Sequence, residues 1–216
     1  MKSQLGNSPA GFIRDFNGAA LRAVASHIEI AAPAWNLAEI ADVLDVSKLR
    51  PAAVLIGLIA RESGWQVLLT RRTEAMTNHG GQVSFPGGRI EPCDHSKVAA
   101  ALRETEEECG IASHLIQPWG YLPNYATISN YCVTPILAEL DASVDPTPQE
   151  AEVADIFEAP LALFTDPFNR PVQSREYLGR LRTSYVFEFE GRKIWGATAA
   201  MLVHFADMVL ADDKKC

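Results

Sequence analysis

The sequence predicts an α/β protein that forms one domain with a helical extension at its N-terminus. The chain has 216 residues, of which 48% are hydrophobic and 21% charged, a balance typical of a single globular domain with some added segments. Apolar runs bounded by turn residues predict buried strands, and one later stretch has the periodicity of an amphipathic helix. No internal repeat or long linker divides the chain, so one domain of this class is expected.

Residues 1–50 are expected to form the helical extension. The apolar residues from Ala19 to Ile28 fall mostly on one side of a helix. Asn36 is placed to cap a second, short helix that carries Leu37 and Leu44. Because no chemically distinctive group occurs here, we interpret this segment as a packing element or as a contact of a homodimer. The main domain is then residues 51–216.

The main domain is predicted to alternate strands with a few helices. The apolar run 52–59 is typical of a buried strand, and Gly64 is expected to turn the chain into a hairpin partner at 65–70. A helix is expected from Ser96 to Cys109, ending at Gly110. Short strands and helices complete the domain: strands at 82–85, 119–122, 131–140, 153–157 and 184–189, a short helix beginning at 160–164, and a terminal helix at 197–210.

Composition excludes several classes of protein. The net charge of −8 disfavours binding to long nucleic acid, which calls for a basic surface. The longest apolar run, Pro51 to Ala60, is shorter than the roughly 18–20 residues of a membrane span, and the N-terminus lacks a signal-peptide pattern. The four cysteines form no Cys-x-x-Cys pair. We therefore expect a cytoplasmic protein with reduced thiols that binds neither membrane nor nucleic acid.

The predicted helix at 96–109 carries the chemistry because three carboxylates share one of its faces. At about 100° per residue, Glu107 and Glu108 lie within about 60° of Glu104. An apolar stripe is expected to fix the helix to the core with the acidic face pointing away from it; the stripe comprises Val98, Leu102, Thr105 and Cys109. Like charges at these spacings weaken a helix, and Mg²⁺ or Mn²⁺ would offset that penalty. Such faces are also common as plain solvated surface.

The surrounding residues make the pattern more specific. The turn Pro86-Gly87-Gly88 allows the backbone to approach a ligand or to offer a carbonyl to a metal ion. Gly88, Asp94 and the run Arg103-Glu104-Thr105-Glu106-Glu107-Glu108-Cys109-Gly110 together resemble the signature of Nudix hydrolases. Asp94 stands where that family has Glu, and one extra residue separates it from Arg103. This spacing is similar to that of the family branch that hydrolyses coenzyme A.

The resemblance implies a fold and a set of site residues. The fold is the Nudix α/β/α sandwich with a mixed sheet. The implied metal ligands are Glu104, Glu107, Glu108 and the carbonyl of Gly88. Arg103 is expected to hold a carboxylate in place, and Glu104 or Glu107 is expected to deprotonate the attacking water.

A second resemblance concerns residues 68–88, which are similar to the coenzyme A signature that precedes the Nudix signature in that branch. Two residues depart from this signature. Thr73 stands where Ser or Ala is expected, and Thr77 stands where Arg is expected. The implied substrate contacts are Arg71, Arg72, His79 and Phe85. Phe85 and Trp195 are also interpreted as residues of the core or of the pocket wall. Glu152 stands where related enzymes place an additional ligand or base. Further matches extend the resemblance to about residues 50–210.

The implied reaction is metal-dependent hydrolysis of coenzyme A, or of a derivative, to 4′-phosphopantetheine and adenosine 3′,5′-bisphosphate. Two alternatives stay open. One is a Nudix pyrophosphatase for ADP-ribose or another nucleoside diphosphate derivative, which Thr77 favours. The other is a non-catalytic nucleotide sensor on the same fold, which is expected to lack a metal ligand, whereas this sequence retains all of them.

Overall fold

The computed structural model describes residues 16–27, 33–74, 80–177 and 179–212. Several sequence predictions lie outside these residues. They concern the end of the first helix at Ile28, the substrate contact of His79, the departure at Thr77 and the thiol of Cys216.

The described chain contains five α-helices and eleven strands. The helices are α1 (Gly18–Ala23), α2 (Leu37–Ile40), α3 (Lys97–Cys109), α4 (Ala162–Thr165) and α5 (Gly196–Asp212). The strands are β1 (Arg50–Arg61), β2 (Gly64–Arg72), β3 (Val83–Ser84), β4 (Gly87–Arg89), β5 (Ile116–Tyr121), β6 (Tyr125–Thr127), β7 (Tyr131–Leu140), β8 (Val153–Pro160), β9 (Val172–Tyr177), β10 (Arg180–Phe189) and β11 (Arg192–Trp195). Every strand and helix predicted for the main domain is confirmed; the strand at 131–140 has its predicted bounds, and the other elements have shifted ends.

The eight strands from β1 to β8 form one mixed sheet. β1 runs parallel to β7, whereas its pairings with β2 and β4 are antiparallel. β2 pairs with β1 near their shared turn and with β3 farther along, while β8 covers its other edge. The segment 83–89 therefore inserts between β1 and β2 where these strands separate. This insertion places the Gly87-Gly88 turn inside the sheet.

Two hydrophobic clusters cover opposite faces of this sheet. Leu55 and Ile59 of β1 join the cluster beneath α3, and Ile56 and Leu58 join the cluster beneath α1 and α5. All four side chains are fully buried. Because strand residues alternate between faces, an almost continuous apolar run was required at β1 to supply both cores. The α/β/α sandwich is thus confirmed.

The N-terminal extension differs from its prediction. α1 ends at Ala23, and Ser26 then forms an isolated β-bridge with Tyr121. Asn36 does not cap α2; instead its side chain exchanges two 2.8 Å hydrogen bonds with the backbone of Ala126. The capping prediction was wrong because a buried edge of the sheet offered both a donor and an acceptor. Contact with a second chain stays a prediction.

Four strands, β4, β6, β9 and β11, were not predicted, since they are short or lack alternation. β9 to β11 form a separate three-stranded antiparallel sheet. No described helix is long and apolar enough to cross a membrane. The thiols of Cys93, Cys109 and Cys132 are free.

Candidate active site

Helix α3 is fixed at both ends by local sequence. The Ser96 hydroxyl accepts a hydrogen bond from Ala99 N at 3.0 Å, which satisfies one of the first N–H groups of the helix. Gly110 ends the helix in the left-handed region at φ +66°, a conformation that glycine adopts without strain. Both ends agree with the sequence prediction. Thr105 and Cys109, at 0% exposure, confirm the stripe that holds this helix against the sheet.

Glu108 contradicts the prediction that the whole acidic face points away from the core. Its residue is only 5% exposed, and Oε2 accepts a hydrogen bond from Gly87 N at 3.2 Å. Burial is the main influence on the carboxyl group and raises its pKa to about 7, while the bond from Gly87 opposes this rise. The prediction failed because the inserted strand β4 passes beside α3 and offers a backbone donor to the carboxylate.

The glycine turn packs against Glu104. A Cβ atom at Gly88 would lie 2.6 Å from Oε1 of Glu104, so only glycine leaves room for this carboxylate beside the backbone. Burial raises the pKa of Glu104, and Arg103 partly opposes the rise. The carboxylate is therefore held against a backbone that has no side chain to shield it from a ligand.

Arg103 is the centre of the polar contacts at this turn. Its Nε and Nη2 donate to Asp94 at 3.0 and 2.9 Å, and its Nη1 donates to Glu104 at 3.0 Å and to Glu107 at 2.9 Å. Nη2 also donates to the carbonyl of Arg89 at 3.2 Å. The Arg103 guanidinium holds the pKa of Asp94 below its ordinary value. Asp94, which was predicted only as a signature residue, thus orients the arginine.

Arg72 lies on the other side of the acidic cluster. Its Nη1 is 3.7 Å from Oε1 of Glu108, and its Nη2 is 3.8 Å from Oε2 of Glu152. The Glu152 side chain is 52% exposed, so it faces both the arginine and solvent. The fold thus brings Glu152 near the carboxylates of α3, although 44 positions separate it from Glu108 in the sequence.

A cavity of about 660 Å³ lies at the end of β2. Arg71 lines this cavity, whereas the next residue, Arg72, contacts the acidic cluster. Sequence reasoning did not assign the cations of β11 that also line the cavity, Arg192 and Lys193. Arg192 Nε donates to Asp155 at 2.7 Å, and Arg71 Nε is 4.0 Å from the same carboxylate.

Two aromatic residues differ in their relation to this cavity. Trp195 lines it, as the pocket-wall interpretation expects. Phe85 is 2% exposed and belongs to the core cluster beneath α5, which assigns it to packing rather than to direct substrate contact.

Comparison with known proteins identifies the family. The model of the family described as NUDIX domain matches residues 48–178. This chain belongs to the Nudix family. An uncharacterized Nudix hydrolase NudL of Yersinia pestis is 39% identical over 162 residues, which cover 74% of this chain and 80% of the relative. NudL of Yersinia pseudotuberculosis matches to the same extent. A MutT/nudix family protein from Enterococcus faecalis has a TM-score of 0.49 at 13% identity, covering 76% of this chain and 63% of that protein.

The protein is accordingly a Nudix hydrolase, an enzyme that cleaves a pyrophosphate linkage. Nudix hydrolases generally use divalent metal ions such as Mg²⁺ or Mn²⁺. Within the described ranges, no three His, Cys, Asp or Glu side chains are close enough to hold one ion as they are placed. The guanidinium groups of Arg72 and Arg103 stand between the carboxylates instead. The donor chemistry nevertheless fits, because carboxylate oxygens surround a glycine backbone that a Cβ would block.

Replacing Arg103 with lysine is expected to lower kcat of this Nudix hydrolase by about 10- to 100-fold. Lysine retains the charge but cannot reproduce the fork that bonds Asp94, Glu104 and Glu107 together. Steady-state kinetics with Mg²⁺ measures the effect. Arg61→Lys is the matched control, because Arg61 forms a similar two-pronged pair with Glu158 outside the cluster. Equal losses in both variants would show that Arg103 has only a structural role.

Proposed function

We propose that this Nudix hydrolase cleaves the pyrophosphate of coenzyme A or a derivative into 4′-phosphopantetheine and adenosine 3′,5′-bisphosphate. The proposal rests on two adjacent arginines at the end of β2, where the coenzyme A signature begins. There Arg72 contacts the acidic cluster, while the preceding residue, Arg71, lines the cavity. A substrate that spans both places has a diphosphate at one end and a further anionic group at the other.

The size of the cavity and the kinds of side chain that line it support a nucleotide. Its volume of about 660 Å³ lies within the range of about 300–1,000 Å³ usual for small-molecule sites. Three carboxylates also line the cavity, so its charge is balanced and phosphate groups would be bound by individual cations rather than by a positive surface; the carboxylates are Glu74, Asp155 and Glu190, and the cations are Arg71, Arg192 and Lys193. Trp195 supplies an aromatic surface for a base. Asp155 contacts both Arg71 and Arg192 and so keeps their guanidinium groups close together. This restricts where a phosphate can bind.

The metal-binding proposal rests on the acidic cluster. Glu104, Glu107, Glu108 and the Gly88 carbonyl would hold Mg²⁺ or Mn²⁺. When bound, such an ion neutralises diphosphate charge and lowers the pKa of a coordinated water. Arg103 would keep Glu104 and Glu107 oriented through its present hydrogen bonds.

The glutamates differ in their exposure. Glu107 is exposed, with 59% of its side chain accessible, and lies 2.9 Å from Nη1 of Arg103. Glu104 is more buried and lies against Gly88. Either carboxylate is placed to take a proton from water near the turn, and Glu152 offers a third base beside Arg72.

A substrate panel tests the proposal. Purified protein with Mg²⁺ or Mn²⁺ is incubated with coenzyme A, acyl derivatives, ADP-ribose and NADH, and the products are separated by chromatography. We expect the highest kcat/KM with coenzyme A or an acyl derivative and the release of both named products. Much faster turnover of ADP-ribose would assign the enzyme to the alternative substrate class.

The variant Arg71→Gln checks the role of the cavity in the same panel. We expect KM for coenzyme A to rise about 10-fold, because a charge-assisted contact is worth roughly 1.5–3 kcal/mol, with a smaller change in kcat. Arg180→Gln is the control, since Arg180 is a surface cation that pairs with Asp42. An unchanged KM in Arg71→Gln would remove this residue from the substrate site.

A further inference from the structure

Two arginines and a tyrosine meet at the ends of three strands of the mixed sheet. Arg50 begins β1 and Tyr131 begins β7, and these two residues lie opposite each other in the parallel pairing. Arg89 ends β4 and lies opposite Ala52 of β1. Paired residues, and residues two apart on one strand, point to the same face of a sheet. The side chains of Arg50, Arg89 and Tyr131 therefore share one face, and we call these three residues the arginine cluster.

Tyr131 holds both arginines in place. Nε of Arg89 donates to the Tyr131 hydroxyl at 2.7 Å. The guanidinium carbon of Arg50 lies 4.3 Å from the centre of the tyrosine ring, and that of Arg89 lies 5.7 Å from the same centre. Two positive groups are thus fixed around one ring, although they repel each other.

The arginine cluster contains no carboxylate. Of the arginines in the described ranges, all but three form an ion pair with aspartate or glutamate. The exceptions are Arg50, Arg89 and Arg175, of which the first two lie together at Tyr131. Acidic residues outnumber lysine and arginine in this chain by 27 to 19, so carboxylates are not scarce. The two cations of the cluster therefore leave a local positive charge that an anion can neutralise.

The hydrogen-bond donors of the cluster match a phosphate group. Within the described part of the chain, the Nη atoms of Arg89 and the guanidinium of Arg50 donate to no other group. The Tyr131 hydroxyl accepts from Arg89, so its own proton can be donated elsewhere. Both arginines are exposed, so a ligand from solvent can reach them. Donors on the face and at the edge of one ring suit an anion with several oxygens, and phosphate can accept from arginine through two oxygens at once.

The backbone joins the arginine cluster to the hydrolytic centre. Arg89 directly follows Gly88, and its carbonyl accepts a hydrogen bond from Nη2 of Arg103 at 3.2 Å. Along β1, Arg50 shares its face with Ile56, which belongs to the core beneath α5, whereas the carboxylates of the acidic cluster approach from α3 on the other face. The arginine cluster is therefore a neighbour of the hydrolytic centre with its own set of donors.

We propose that Arg50, Arg89 and Tyr131 form a binding site for one phosphate group beside the glycine turn. This phosphate belongs either to the substrate or to a free phosphate ion, since both present the same oxygens to the arginines. The inference does not depend on coenzyme A as the substrate, because a phosphate ester of any kind supplies these oxygens. The site differs from the cavity lined by Arg71, where carboxylates accompany the cations.

Chemical modification of the arginines tests the site residue by residue. The full chain is treated with phenylglyoxal in EDTA at increasing concentrations of inorganic phosphate, and modified arginines are quantified by peptide mass spectrometry. We expect phosphate to protect Arg50 and Arg89 together, with the same half-protecting concentration. Acetate or sodium chloride at matched ionic strength should protect them much less, because neither offers enough oxygens to bridge the donors.

Arg175 is the internal control for this experiment. It is also an exposed arginine without a carboxylate partner, and its guanidinium carbon lies 5.6 Å from the centre of the Trp195 ring. Its cross-strand neighbour, Arg182, is already paired with Asp42, so the two do not offer a free pair of cations. We expect the rate at which Arg175 is modified to be independent of phosphate.

Two variants test whether the arginines share one anion. Arg89→Gln is expected to raise the phosphate concentration that half-protects Arg50 about 5- to 10-fold, because one of the two cations that bind the anion is lost. Tyr131→Phe keeps the ring beneath Arg50 but removes the hydroxyl that orients Arg89, and it is expected to raise this concentration about 3-fold. Circular dichroism melts check that both variants are folded.

Substrates distinguish the two sources of the phosphate. In EDTA, where metal-dependent turnover stops, acetyl-coenzyme A or ADP-ribose replaces inorganic phosphate in the same experiment. Protection of both arginines by the compound that the enzyme hydrolyses assigns the site to the substrate, and protection by inorganic phosphate alone assigns it to a free ion. Three results would overturn the proposal: no protection by any of these compounds beyond that of sodium chloride, equal protection of Arg175, or unchanged protection of Arg50 in Arg89→Gln.

Discussion

Replacing Glu108 with glutamine is expected to remove nearly all pyrophosphatase activity and, at the same time, to stabilise the metal-free protein. The activity loss follows from the proposed metal site, since an amide cannot supply the anionic oxygen that Mg²⁺ requires. A fall in kcat of about 1,000-fold or more is expected for the loss of such a ligand. Steady-state kinetics over a range of Mg²⁺ concentrations measures it.

The stability gain follows from the burial of Glu108. Its pKa is raised from 4.5 to about 7 in the folded protein. The folded state therefore favours the protonated group below pH 4.5, and this contribution disappears as the pH rises through 7. The shift corresponds to about 3 kcal/mol. Glutamine avoids this loss, so its advantage in unfolding free energy should grow as the pH rises from about 4.5 to about 7 and should stay constant above that.

Glu106→Gln is the control for both measurements, because Glu106 is exposed on the same helix. It should change neither kcat nor the pH dependence of unfolding, which denaturant titration in EDTA records. Activity near the wild-type level in Glu108→Gln would contradict the metal-site proposal. A pH-independent stability difference would contradict the burial argument alone.

Replacing Gly88 with alanine is expected to lower kcat about 100-fold while the protein remains folded. The new methyl group would lie 2.6 Å from Oε1 of Glu104, so the carboxylate must move away from the turn. A displacement of about 1 Å in a catalytic site costs on the order of 100-fold in rate. The backbone of Gly88 is outside the left-handed region, so strain adds little.

Gly87→Ala provides the contrasting variant. Gly87 has φ +145°, and a Cβ there would lie 2.5 Å from the carbonyl oxygen of Ala53 and 2.6 Å from Cα of Val54. Because backbone atoms cannot withdraw as a side chain can, we expect a loss of about 3 kcal/mol or more in unfolding free energy. Circular dichroism melts and kinetics together separate the two effects. Equal stability of both variants, or full activity of Gly88→Ala, would refute the interpretation of this turn.

The amino-acid sequence by itself determined the elements whose causes are local. Ser96 and Gly110 mark the ends of α3 because capping involves residues within one helical turn. The strand 131–140 was predicted with its observed bounds because an apolar run between turn residues needs no distant information. The carboxylates of α3 and the bond from Arg103 to Glu107 follow from helical spacing alone.

Only the tertiary structure decided which surfaces these elements present. Glu108 is buried because β4, inserted between β1 and β2, places the N–H of Gly87 beside α3. The pair formed by Arg192 and Asp155 joins strands 37 residues apart, and such pairing leaves no periodic trace in either segment. The same holds for Asn36, whose partner on β6 replaced the expected cap. Local sequence fixes short-range geometry, whereas the choice among distant hydrogen-bond partners depends on how the whole sheet assembles.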